Sequence, residues 1–185
     1  MNEVANSLLF NQTLPTKFTT AKSQFSLSNT DSQWQIGATA IGQGNTVISP
    51  IHAAMLVSAI ANGGTLMKPY VIDSVQSTEG SVIEQYESEN YGTLMSASES
   101  SQLTKMMKAV VEEGTGYKLS GKNYSVAGKT VTAEVVGRGN NAWFVGFAPA
   151  DDPKIAICVL VEDAGTASSE AVPIAGEILD AYLNN

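Results

Sequence analysis

A chain of 185 residues, 43% apolar and 15% charged, is long enough to bury a sizeable core and too apolar to stay disordered. Its formal net charge of −8 excludes a nucleic-acid partner, because so few cations cannot neutralise a phosphate backbone. A single cysteine excludes an internal disulfide; Cys158 lies in the apolar run "KIAICVLVE" and reads as a small buried side chain.

Residues 1–35 are rich in Ser, Thr, Asn and Gln and poor in periodicity, which predicts an irregular lead-in with one short helix over Glu3–Phe10. No charged segment precedes an apolar one at the start, and every apolar stretch falls far short of the roughly 20 residues of a membrane span. Met1 opens either a short natural chain or a piece of a longer one. In "SPIHAAMLVSAIANGG", Ser49 is placed to cap a helix, Pro50 to occupy its first position and Gly63-Gly64 to stop it. His52 falls in the first turn, where a surface or capping role is expected; as the only histidine it cannot build a multi-histidine metal site.

"KPYVIDSVQSTEGSVIEQYES" predicts two short strands about the turn "STEG", a hairpin forming a peripheral excursion within residues 65–92. "SASESSQLTKMMKAVVEEGTG" carries a capping box, Ser96 with Glu99, and apolar residues at helical spacing up to Gly114. Three strands follow, over Val126–Val135, Ala142–Ala148 and Lys154–Glu162, joined by "GRGNN" and "PADDP". "SSEAVPIAGEILDAYLNN" closes the chain as a helix with Pro173 in its first turn. The order predicts an α+β fold, an antiparallel sheet flanked by helices. The last strand, "IAICVLV", is too apolar for an exposed edge and calls for a further strand beside it.

Ala127–Val135, "AGKTVTAEV", is the stretch with chemistry in it. At a cleft edge a lysine ammonium supplies positive field, a threonine hydroxyl binds a carboxylate, and a free backbone N–H stabilises an oxyanion. The plain alternative is an edge lysine that discourages aggregation among β-favouring threonines. Trp143 and Phe144 read as core anchors, Glu112-Glu113 and Asp151-Asp152 as solvated charges, and Arg138 in "GRGNN" as a residue bordering the cleft. The glycines of "GQG" and "NGG" lack the spacing of a phosphate loop, and neither a metal nor a cofactor is expected.

"IGQGNTVISPIHAAMLVSAIANGGTLMKPYVI", "VVEEGTG", "VAGKTVTAEV" and "NAWFVGFAPADDPKIAICVLVED", in that order, resemble the penicillin-binding protein transpeptidase domain from about Ile36 to the end. The resemblance implies bacterial peptidoglycan cross-linking by acyl transfer from D-Ala-D-Ala stem peptides through a serine ester, with β-lactams as acylating inhibitors. It also implies action at the extracytoplasmic face of the cell membrane, reached through a segment absent here. "AGKTVTAE" is similar to the family's Lys-Thr-Gly motif. Carried over, Lys129 provides the field, Thr130 binds the substrate's carboxylate, and the backbone N–H of Thr132 is one oxyanion donor.

Two departures qualify this. None of the nine lysines has a serine three places before it, so the Ser-x-x-Lys nucleophile motif is missing, and the one Ser-x-Asn, Ser88–Asn90, follows "IGQG" where the family's precedes it. The chain therefore resembles the C-terminal portion of such a domain, residues 1–185 lacking the N-terminal portion as partner, and no acyl transfer is expected of it alone. Val131 stands where the family has glycine, which implies either an altered site or an atypical one with a different pocket. A non-catalytic binding or regulatory module, and a relative of the serine β-lactamases or β-lactam sensors, remain open as alternatives.

Overall fold

The structure is a computed structural model describing residues 1–135 and 137–184. Helix α1 (Asn2–Ser7) opens a long lead-in. It stops short of the expected Phe10 because Leu9 and Asn11 take positive φ, 70° and 62°, and turn the chain back on itself. Helix α2 (Gln33–Ala40) follows, started by a capping box between Ser32 and Gln35. Ser49 Oγ accepts the N–H of His52, Pro50 takes the first position, and α3 runs Pro50–Ala61 as expected.

His52 corrects its expected surface position. It is fully buried, its Nε2 lies 2.8 Å from the carbonyl of Leu8, and its ring tilts against Phe10 at 4.9 Å between centroids. The lead-in folds back over α3 and covers it, pinned by buried Ser23, whose hydroxyl accepts the Ser49 N–H at 3.0 Å.

After α3 the chain turns at Gly64, whose φ is +97° and whose missing Cβ would fall 2.0 Å from the Met95 carbonyl oxygen. That approach lets β1 (Thr65–Lys68) pair antiparallel with β4 (Glu89–Thr93). Between them stands the expected hairpin, β2 (Ser74–Gln76) with β3 (Val82–Gln85). Helix α4 (Ala97–Glu112) begins at the expected capping box: Ser96 Oγ accepts the Glu99 N–H at 3.2 Å and the Glu99 carboxylate accepts the Ser96 N–H at 2.7 Å. A single 3-10 turn, Tyr117–Leu119, leads into the main sheet.

That sheet is antiparallel in the order β5 (Ala127–Ala133), β6 (Asn140–Ala148), β7 (Ile155–Ala164). Alternation divides its side chains between two cores. Ala127 and Phe147 pack on one face with Val57 of α3 and Met107 of α4. Ala142, Phe144, Ile157 and Val159 pack on the other against Val172, Ala175 and Leu179 of the last helix, α5 (Ala171–Leu183). Phe144 lies flat across the sheet, since a Cβ at Gly128 or Gly146 would meet its ring at 2.4 and 2.8 Å. This is the α+β arrangement expected, with helices on both faces. Pro173 lies in the first turn of α5, and Asn185 falls outside the described residues.

Two charged positions read as simply solvated, Asp151 and Asp152, have partners. Asp151 accepts from Ser125 Oγ at 2.8 Å and from Lys108 at 3.1 Å, which hold its carboxyl below the usual range, and Asp152 pairs with Lys154 at 2.7 Å. Asp180 of α5 receives Lys122 at 2.5 Å and the Tyr124 hydroxyl at 2.6 Å. These bonds lower the Asp180 carboxyl, while burial and the Asp180 contact raise the Tyr124 phenol. Among the described residues β7 pairs only with β6, so its apolar outer edge is open.

Candidate active site

Strand β5 is the other edge of the sheet, so half of its backbone groups face away from β6. The carbonyl of Ser125 accepts the Ala150 N–H across the sheet, and alternation turns the backbone of residues 127, 129 and 131 the same way. Residues 128, 130 and 132 turn theirs outward, so the Thr130 carbonyl and the Thr132 N–H share the open edge. The Lys129 ammonium folds over that edge and donates to the Thr130 carbonyl. A cation thus lies beside an outward-facing N–H, the pairing that stabilises a developing oxyanion.

The side chains alternate across the sheet plane. Lys129 and Val131 lie on the α3–α4 face, Val131 opposite Trp143 in register and 39% exposed. Lys129 also reaches an open apolar groove of about 480 Å³ between α3 and α4, lined by Val57, Ile60, Leu103, Met106 and Val145 among others. Among the described residues it is the one charged side chain lining that groove.

Thr130 and Thr132 lie on the α5 face. The buried Thr130 hydroxyl bonds that of Thr115, an exposed residue just beyond α4. Thr132 Oγ accepts the Ala167 N–H at 3.1 Å, from the loop that enters α5. Thr115 and Ala167 are the residues that sequence reasoning missed. "EEGTG" and "GTASSE" read only as a helix stop and a loop, and nothing local to them signals a contact with a strand 15 and 35 residues away.

Three further positions singled out in the sequence have the following places. Ser88 precedes β4, in which Asn90 lies, and Arg138 lies in the turn between β5 and β6. Cys158 is half-buried opposite Val145, and burial pushes its thiol up to about 11, which keeps it protonated and a poor nucleophile near neutral pH. No group of three or more His, Cys, Asp or Glu side chains suited to a metal ion occurs among the described residues.

The fold is shared with known proteins. The chain is 34% identical over 157 residues to the peptidoglycan D,D-transpeptidase PbpA of Mycolicibacterium smegmatis, covering 80% of this chain and 32% of that protein. It is 37% identical over 152 residues to the stage V sporulation protein D of Bacillus subtilis, covering 76% of this chain and 23% of that protein. In structure it is similar to penicillin-binding protein A from M. tuberculosis, solved as an imipenem acyl-enzyme complex. The TM-score is 0.87 at 28% identity, covering 97% of this chain and 41% of the other. The chain thus spans about a quarter to a third of the curated relatives it matches. Residues 2–180 match the family model described as the penicillin binding protein transpeptidase domain, and the chain belongs to that family.

Proposed function

We propose that this chain forms one wall of a serine D,D-transpeptidase site that acts on D-Ala-D-Ala stem peptides of peptidoglycan and is acylated by β-lactams. The observation that carries the reading is the open edge of β5, where Lys129, the Thr130 carbonyl and the Thr132 N–H meet beside an unfilled apolar groove. Relatives named as peptidoglycan D,D-transpeptidases and a neighbour solved as an acyl-enzyme support it.

In this reading Lys129 supplies the positive field and polarises the proton network around the nucleophile. The Thr132 N–H is one of two oxyanion donors, and the N–H of the nucleophilic serine is the other. Thr130 exchanges its bond with Thr115 for one to the substrate's terminal carboxylate. No Ser-x-x-Lys occurs in this sequence, so the nucleophile comes from polypeptide outside it, as the N-terminal portion of the domain. The groove beside Lys129 is where that portion covers apolar surface. The assembled site works at the extracytoplasmic face of a bacterial membrane; no described helix is long and apolar enough to cross one.

A fluorescent penicillin tests the reading. The isolated chain remains unlabelled, and the chain joined to a Ser-x-x-Lys-bearing N-terminal portion of a family member is labelled. Lys129→Ala in the joined protein suppresses that label about a hundredfold or more. Covalent label on the isolated chain, or none on the joined protein, overturns it. Val131 favours a second reading, a non-catalytic binding module, because its side chain stands beside Lys129 on the α3–α4 face where the family has glycine. That reading holds if the joined protein stays unlabelled even with Val131→Gly.

A further inference from the structure

The hairpin β2–β3, with a register shift between Val75 and Gln76, exposes most of its side chains. Its tip is closed by Ser77, whose hydroxyl accepts the N–H groups of Glu79 and Ser81 at 3.3 and 3.2 Å. Its base is closed by Asp73, whose carbonyl accepts the Tyr86 N–H at 2.8 Å, and the Lys17 ammonium sits 4.2 Å above the Tyr86 ring. Among the described residues the two strands pair only with each other, so both outer edges are open. Val71, Ile72, Val82 and Ile83 are 76, 53, 56 and 69% exposed. A two-stranded ribbon with no face on a core is marginal in water, and clustered exposed aliphatic side chains mark a contact surface.

Charge selects the occupant. Residues 69–92 hold Asp73, Glu79, Glu84, Glu87 and Glu89 and neither lysine nor arginine. A second copy of the hairpin or an anionic lipid surface would meet like charge. We propose that the hairpin docks a protein partner that presents an extended segment alternating aliphatic with basic residues, added as a strand to an open hairpin edge. The aliphatic side chains meet Val82 and Ile83, and the basic ones meet Glu79 and Glu84. This inference rests on the hairpin alone and stands whether or not the chain completes a transpeptidase.

The probe is a fluorescein-labelled peptide of alternating lysine and valine, followed by anisotropy against the whole chain. It binds saturably, and a lysine–serine peptide of equal charge binds about tenfold more weakly or worse. Val82→Ser with Ile83→Ser weakens the lysine–valine peptide about tenfold, and Glu79→Gln with Glu84→Gln weakens it and flattens its salt dependence. All four side chains are exposed, so circular dichroism of the variants is unchanged. Equal binding of the two peptides, or wild-type binding by both hairpin variants, overturns the proposal. So does self-association of the chain in sedimentation that Ile83→Ser abolishes, which would make a second copy the occupant.

Discussion

Val131 decides how closely anything approaches the edge of β5. Its branched side chain suits a strand, and it lies beside Lys129 on the α3–α4 face, where in the proposed site it would crowd a ligand at that edge. Val131→Gly should therefore lower the stability of the isolated chain by about 1 kcal/mol in denaturant melts, while raising penicillin labelling of the joined protein. His52 sets a different balance. Burial holds its imidazole below the ordinary 6.5, so the folded chain keeps it neutral with Nε2–H donating to Leu8. The unfolded chain takes up a proton as pH falls through 6.5 and the folded chain only lower, so the His52 contribution is complete above that value and is lost on acidification below it. Denaturation midpoints measured between about pH 7.5 and about pH 5 should fall for the wild type and stay nearly level for His52→Gln. The carboxylates of Asp151 and Asp180, both held below 3.8, lose their bonds only in a separate, more acidic window. At Gly146 an added methyl meets the Ala127 carbonyl at 2.5 Å, so Gly146→Ala should destabilise by roughly 1–3 kcal/mol in the same melts.

Elements whose signals are local were legible in the sequence. Helices α3 and α4 announce themselves through Ser49-Pro50 and through Ser96 with Glu99, because a cap and its partner lie within one turn. Ser96→Ala should remove the two bonds of the Ser96 hydroxyl while the backbone N–H of residue 96 still donates to Glu99, cost about 1 kcal/mol by thermal melt, and move the Glu99 carboxyl only part of the way back toward its ordinary range by NMR titration. Helix α2 carried the same kind of box at Ser32 and Gln35 and still escaped notice. Its apolar residues Trp34 and Ile36 are 75% and 42% exposed, so no buried stripe follows the cap. The β1–β4 ladder was hidden for another reason: its strands are split by the whole hairpin, and only Gly64 under Met95 brings them together. The turn chemistry of "STEG" is local, and the hairpin was accordingly legible.

For the whole molecule, the order of elements and the two-sided sheet could be read from chain order, because each main-sheet strand pairs with its neighbour in sequence. The edge motif was legible as residue types, whereas its supports at Thr115 and Ala167 depended on how α4 and α5 pack. The open edge of β7 also bears on solution behaviour. A net charge of −8 keeps copies apart at neutral pH, and that repulsion vanishes near the isoelectric point of about 4.5. Light scattering should therefore peak near that pH, and a charge on the edge strand, Leu160→Lys, should reduce the peak without changing neutral-pH solubility.

Thr132 gives its hydroxyl to the loop entering α5 and turns its N–H to the open edge. One residue is therefore a mechanical link between that loop and the place where a negative oxygen would rest. A rigid loop holds the donor still, and a loosened one lets it drift by the fractions of an ångström that separate a stabilising N–H from an idle one. Substitutions around Thr166 and Ser169, remote from every group proposed to touch substrate, should register as faster deuterium uptake at the backbone N–H of Val131, which faces β6.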